Sequence, residues 1–290
     1  MRYAYYPGCS LHSTGREYDV SLRAVCQRLG IELVEIKKWV CCGSSATHAA
    51  SRRLALALPL KNVAEAEKQG LKEMMVPCAA CFSRFKFAWH EMERHPELRP
   101  ELEDIVEHRF GDGAKILHPL EVFAADEVLG QLPSLLKGKL SGLKVVCYYG
   151  CLLTRPPKVT GFDEYEQPQS MDRLLRALGA SVLDWDYRTD CCGTSLNLTR
   201  TDIVRRLSHE ILEGAREVGA EAIVVACSLC HLNLDSRQGE IEEEYGTRYN
   251  LPIYYFTELL AVALGVPSRE LMLERHFVDA RRVLEKVETP

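Results

Sequence analysis

Val76-Pro77-Cys78-Ala79-Ala80-Cys81-Phe82 and Val225-Ala226-Cys227-Ser228-Leu229-Cys230-His231 are two versions of one segment. In each, a short apolar run leads into a Cys-x-x-Cys, the pattern of a buried strand turning into a helix. An adjacent cysteine pair precedes each copy: Cys41-Cys42-Gly43-Ser44-Ser45 in the first, Cys191-Cys192-Gly193-Thr194-Ser195 in the second. Earlier still, Tyr5-Tyr6-Pro7-Gly8-Cys9-Ser10-Leu11 resembles Tyr148-Tyr149-Gly150-Cys151-Leu152-Leu153. Downstream, Ile116-Leu117-His118-Pro119-Leu120-Glu121-Val122 matches Tyr254-Tyr255-Phe256-Thr257-Glu258-Leu259-Leu260, aligning Ile116 with Tyr254. Ten of the 12 cysteines thus fall into two copies of Cys, Cys-Cys-Gly, Cys-x-x-Cys.

Spacing supports a duplication. Cys78 lies 36 positions beyond Cys42, and Cys227 lies 35 beyond Cys192. The interval from the lone cysteine to the pair is 32 in the first copy and 40 in the second, which reads as a loop insertion around Pro156–Pro168. A break over Gln131–Gly142, with Pro133, Gly138 and Gly142, reads as the linker between a first domain, 1–135, and a second, 143–290.

Each half alternates strand and helix. Strands are expected at Tyr3–Tyr6, Ile31–Ile36 and Met74–Val76, with helices over Tyr18–Leu29, around Ala49–Lys68 and from Cys78. The second half repeats this with strands at Lys144–Tyr148, Val182–Trp185 and Ala222–Ala226, and helices over Met171–Leu178, Asp202–Val218 and from Cys227. A charged amphipathic helix is expected over Ser268–Val287. The alternation predicts an α/β protein of two pseudo-symmetric Rossmann-like halves, each a mostly parallel sheet flanked by helices. The cysteines then fall just after strands, in the crevice at the strands' carboxyl ends where open α/β sheets bind ligands.

Composition narrows the function. The 290 residues are 47% hydrophobic, enough for a full core without disulfide staples. A net charge of −5 argues against nucleic acid. No apolar run approaches the roughly 18 to 20 residues of a spanning helix, so membrane insertion is not expected. The opening residues read as a strand rather than a signal peptide, so the expected location is cytoplasmic, where cysteines serve metals or redox chemistry.

Five thiols per half constrain what is held. Zinc usually takes four ligands, often from paired Cys-x-x-Cys knuckles, and here each half has one such knuckle plus an adjacent pair. Neighbouring side chains diverge, so Cys41-Cys42 and Cys191-Cys192 grip one ion poorly but can reach two metals of a cluster. A cubane 4Fe–4S cluster needs four thiolates, commonly from a denser run. Two unusual iron–sulfur clusters use every repeated cysteine.

These motifs resemble the CCG-domain family, and their length and placement are most similar to the B subunits of heterodisulfide reductases, from Tyr5 to about Ala263. The resemblance implies two noncubane 4Fe–4S clusters. One would be held by Cys9, Cys41, Cys42, Cys78 and Cys81, the other by Cys151, Cys191, Cys192, Cys227 and Cys230. They would face each other across a cleft where a disulfide is reduced to thiols. Electrons would come from two partners, a protein with cubane 4Fe–4S clusters and a flavoprotein. Relatives in the family also serve quinone-linked and dehydrogenase complexes, so an electron-transfer role without substrate chemistry is the alternative.

The other residues near the motifs are less decided. Cys26, on an apolar helix face, reads as a small buried hydrophobe. Cys147 competes with Cys151 for a ligand position, and the repeat favours Cys151. His12, His48, His118 and His231 lie near motifs, where one could protonate a departing thiolate, though supporting hydrogen-bond roles are the commoner case. Arg155 could meet an anionic substrate group or be an ordinary loop arginine.

Overall fold

The computed structural model describes residues 1–44, 47–111 and 113–288, the last three by backbone alone, so Ser45 of the first Cys-Cys-Gly segment lies outside the described residues. Among the described residues, eight strands form two four-stranded, all-parallel sheets. The first contains β1 (Arg2–Tyr5), β2 (Glu32–Glu35), β3 (Glu73–Met75) and β4 (Lys115–Leu117) in the order β2-β1-β3-β4. The second contains β5 (Lys144–Tyr148), β6 (Ser181–Val182), β7 (Ala222–Val225) and β8 (Ile253–Tyr255) in the order β6-β5-β7-β8. The α/β expectation of two pseudo-symmetric halves holds. Helices cover both faces of such sheets, which is why Ala222–Val225 is apolar and buried at every position.

In each sheet the chain builds outward from its first strand in one direction and then in the other. The order therefore reverses between β1 and β3, and between β5 and β7. That switch point leaves a crevice at the strand ends. Cys9 follows β1, Cys41 and Cys42 follow β2, and Cys78 follows β3, so three separate connections deliver their thiols to one crevice.

The strand register corrects two alignments. Met75 pairs with Leu117 and Val224 with Tyr254, so Leu117 corresponds to Tyr254, and His118 to Tyr255. At the front of each motif, Tyr6 donates to the carbonyl of Val40 and Tyr148 to that of Asp190, each the residue before a Cys-Cys pair. Tyr6 therefore matches Tyr148 without a gap, and Tyr5 matches Cys147. The sequence comparison slipped because consecutive tyrosines occur in both copies at different offsets.

Other boundaries differ from expectation for local reasons. The helix expected around Ala49–Lys68 is divided into Thr47–Ala50 and Arg52–Lys68, because the Ser51 hydroxyl accepts the Leu54 N–H and starts a new helix. Strand β6 stops at Val182, short of Trp185. The expected linker begins inside the helix Asp126–Leu135, and beyond it the N–H groups of Lys137 and Gly138 donate to the carbonyl of Ala263, so this stretch is tied to the second half. Ser268–Val287 is not one helix. It forms 3₁₀ turns at Ser268–Glu270 and Leu273–Arg275, and α-helix only from Arg281. The Asp235 carboxylate accepts the N–H groups of Phe277 and Val278 and holds that stretch out of helical form.

The halves pack pseudo-symmetrically. Helix Arg16–Arg28 lies on helix Phe256–Ala263, and helix Ser170–Ala177 lies on helix Pro119–Phe123. Tyr18 and Tyr255 stack at 4.3 Å, and buried Ser21 and Thr257 hydroxyls share a 2.7 Å hydrogen bond. The insertion in the second half is ordered. The Asp163 carboxylate accepts backbone N–H groups of Glu164, Gln169 and Ser170, and buried Phe162 meets Phe82 and His118 of the first half edge-on.

Candidate metal centre

Within each half the five thiols converge. Cys42 and Cys81 sulfurs lie 3.1 Å apart, and Cys192 and Cys230 sulfurs 3.6 Å apart. Cys9 interacts with Cys41, and Cys151 with Cys191, while Cys78 and Cys227 neighbour Cys81 and Cys230. Cys78 and Cys227 also perturb each other's thiol, so the two groups adjoin at the boundary between halves.

Local backbone explains the convergence. Cys78 and Cys227 are the N-caps of helices Ala79–Arg94 and Ser228–Ser236, where free N–H groups and the helix dipole favour thiolate. The N–H groups of Gly43 and Gly193 donate to the sulfurs of Cys41 and Cys191 at 3.5 and 3.3 Å. Gly8 (φ +66°) and Gly150 (φ +70°) hold left-handed turns, and a Cβ on either would sit 3.6 Å from the Cys81 sulfur or 3.2 Å from the Cys230 sulfur.

The electrostatics describe crowding. Hydrogen bonding from Cys81 lowers the Cys42 pKa, that from Cys230 lowers Cys192, and that from Cys151 lowers Cys191 to about 6. The partners are pushed the other way: Cys81 by Cys42, Cys230 by Cys192, and Cys151 by Cys191. Burial raises Cys9 to about 11. Thiolates packed this closely, three of each five buried, repel one another unless a cation lies among them. A soft, polynuclear cation bound by thiolate, with backbone N–H groups directed at sulfur, suits the donor set of each half.

Beside the second group lies a cavity of about 460 Å³, lined by Cys151, Cys191, Cys192, Cys227 and Cys230 and, from the first half, by Ser44, Ala79 and Ala80. Leu152 and Leu229 add apolar wall. Asn197 also lines it and has a buried Oδ1 without a hydrogen-bond partner. Leu198, 99% exposed, stands at the edge. Sequence reasoning passed over Asn197 and Leu198, because their only signal is proximity to Cys191-Cys192.

Cys147 lies on β5 and its thiol interacts with Asp172, away from Cys151, which begins the helix Cys151–Thr154 beside Cys191. Cys26 is buried in the core. His118 is a clamp. Its Nδ1 accepts the Leu120 N–H, so Nε2 carries the proton and donates to the carbonyls of Pro77 (2.7 Å) and Ala226 (3.0 Å). Those carbonyls immediately precede Cys78 and Cys227. His12 sits 3.4 Å from Glu35, His48 is exposed, and His231 is buried against Tyr255. Arg155 donates to the Thr189 Oγ1 at 2.9 Å.

Comparison with known proteins identifies the family. The model of the CCG cysteine-rich domain matches residues 3–86 and 145–235. The 8-methylmenaquinol:fumarate reductase membrane anchor subunit of Wolinella succinogenes is 28% identical, over 97% of this chain and 98% of its own. The B subunit of the ferredoxin/F420H2-dependent CoB-CoM heterodisulfide reductase of Methanosarcina acetivorans is 26% identical, over 97% and 95%. A protein of Archaeoglobus profundus named for its likeness to the heterodisulfide reductase B subunit is 27% identical over 91% of each. The crystal structure of a hypothetical protein from Helicobacter pylori superposes with a TM-score of 0.79 at 12% identity, over 96% of this chain and 52% of that one, a likeness of fold alone. Among the described residues no helix is long and apolar enough to cross a membrane.

Proposed function

Since the chain belongs to the family of cysteine-rich CCG domain proteins, we propose that it is the iron–sulfur subunit of a heterodisulfide-reductase-like complex, in which a disulfide is cleaved reductively between two noncubane 4Fe–4S clusters. The observation that carries this reading is the meeting of two complete five-thiol groups at Cys78 and Cys227, with a cavity walled from both halves beside them.

Cys9, Cys41, Cys42, Cys78 and Cys81 would hold one cluster, and Cys151, Cys191, Cys192, Cys227 and Cys230 the other. When bound, the clusters would supply one electron apiece and a thiophilic iron for each departing sulfur. The disulfide takes up two electrons and two protons and leaves as two thiols. Leu152 and Leu229 would hold the substrate's apolar part, while the buried Asn197 Oδ1 would accept a hydrogen bond from a polar group. His118 would fix the strand ends carrying Cys78 and Cys227 at constant separation. A partner protein with cubane 4Fe–4S clusters and a partner flavoprotein would deliver the electrons, in the cytoplasm. The divide between residues 1–135 and 143–290 would separate the two cluster domains.

The likeness to a fumarate reductase anchor subunit favours a second reading, electron transfer within a quinone-linked complex with no substrate chemistry of the chain's own. Paramagnetic resonance separates the two. Anaerobic, iron-loaded protein should carry on the order of eight irons, four per cluster. After oxidation it should develop a new signal only when a thiol such as coenzyme M or coenzyme B is added. Full iron content with a spectrum that no thiol perturbs transfers the chain to the second reading, and absence of iron ends both.

A further inference from the structure

Next to the second cysteine group, but outside the lining of the cavity, His231, Asp235 and His276 come together, all buried. His231 and Asp235 are four residues apart on helix Ser228–Ser236 and share one face. His276 arrives from the irregular C-terminal stretch. One ligand atom from each lies within 4.8 Å of the other two.

The hydrogen bonds around the rings fix which nitrogens are free. His276 pairs through Nε2 with the Glu258 Oε1 at 2.9 Å, and its Nδ1 has no partner. His231 makes a backbone hydrogen bond with Ile253, and its Nε2 has no partner. Each ring is therefore anchored through one nitrogen to an oxygen acceptor and leaves the other without a partner, the arrangement that orients metal-ligating histidines. The Asp235 oxygens each accept one backbone N–H, from Phe277 and Val278, and retain lone pairs. Charge points the same way. A divalent ion balances the carboxylates of Asp235 and Glu258, whereas a proton on His276 leaves one buried negative charge uncompensated. Arg275 and Glu17, 3.0 Å apart, already neutralise each other nearby.

We propose that His231 Nε2, His276 Nδ1 and the Asp235 carboxylate bind one zinc ion, distinct from the iron held by cysteine. Two histidines and one carboxylate form an ordinary zinc donor set. The ion would join the C-terminal stretch to the helix whose Cys230 immediately precedes His231. Through the stack of His231 on Tyr255 (4.2 Å) and Tyr255 on Tyr18 (4.3 Å), it would also brace the boundary between halves.

The test uses full-length, iron-loaded protein produced in zinc-supplemented medium. Metal analysis should find about one zinc per chain, and zinc-edge X-ray absorption should place nitrogen and oxygen at about 2.0–2.1 Å. His276→Gln and Asp235→Asn should each lower zinc content at least tenfold with iron content unchanged. Protein without zinc, zinc ringed by sulfur at about 2.3 Å, or zinc retained in both variants overturns the proposal. If a variant does not fold, the wild-type absorption spectrum decides alone. Iron content and the thiol-dependent signal, measured on the same samples, report separately on the disulfide-reductase reading.

Discussion

Three residues beyond Cys81 stands Arg84, and three beyond Cys230 stands Asn233. Arg84 has a buried Nε with no hydrogen-bond partner, and its charge helps to lower the Cys42 pKa. Asn233 instead donates to the carbonyl of Cys192 at 2.7 Å and to the Ser208 hydroxyl at 3.0 Å. The cap following the fourth strand differs in the same manner: His118 in the first half clamps two carbonyls, and Tyr255 in the second is an aromatic spacer between His231 and Tyr18. The duplication preserved the thiols and diverged in what surrounds them. Two groups with the same donors thus sit in different fields, so the centres proposed for them should differ in potential.

The comparison is tested most severely at the adjacent cysteine pairs. Cys42→Ser should remove roughly half the iron, and Cys192→Ser the other half, because each change takes a ligand from one group only. If either variant empties both groups, the two sites are not independent, and iron analysis reads this directly. Next is Phe162, which is buried and which the second half alone supplies to the boundary. Phe162→Ala should cost about 3–5 kcal/mol of stability in denaturant unfolding, from lost burial and the cavity left behind.

A smaller effect comes from the first half's cap. Burial lowers His118 to about 4 and raises Glu121, which accepts the His118 N–H, to about 7. As pH falls from 6.5 to 4, the unfolded chain gains a proton at His118 that the folded chain refuses, so stability is lost. As pH falls from 7 to 4.5, folded Glu121 takes up its proton before the unfolded chain does, so stability is gained. The two nearly cancel in the natural protein. Glu121→Gln removes the gain, and unfolding free energies from denaturant titrations at pH 6.5 and 4.5 should then differ by about 2–3 kcal/mol more than in the parent. The smallest effect is at Arg84. Arg84→Gln should shift one of the two centres to lower potential by on the order of tens of millivolts, read by potentiometric titration, while Asn233→Gln leaves both in place.

The central strand Ala222–Val225 was legible because a parallel strand buried on both faces is continuously apolar, and the edge strand Glu32–Glu35 because its residues alternate. The fourth strands, Lys115–Leu117 and Ile253–Tyr255, have three residues each, too short for a pattern to reveal their pairing. The C-terminal stretch misled because its charge pattern suits a helix, whereas two backbone hydrogen bonds to Asp235, about forty residues away, hold it open. No local pattern contains that contact. The repeat favours Cys151 over Cys147, and the structure adds that the Cys147 thiol meets Asp172 instead.

By itself the sequence determined the chemistry available to this protein: thiol identity, number and spacing are covalent facts, and strand–helix alternation carries them to strand ends. The tertiary structure alone decided which thiols meet across the halves, which carbonyls His118 joins, and that His231, Asp235 and His276 share one buried point. Such contacts depend on how separately folded surfaces are oriented, and orientation is set by packing of the whole core rather than by any segment's own pattern.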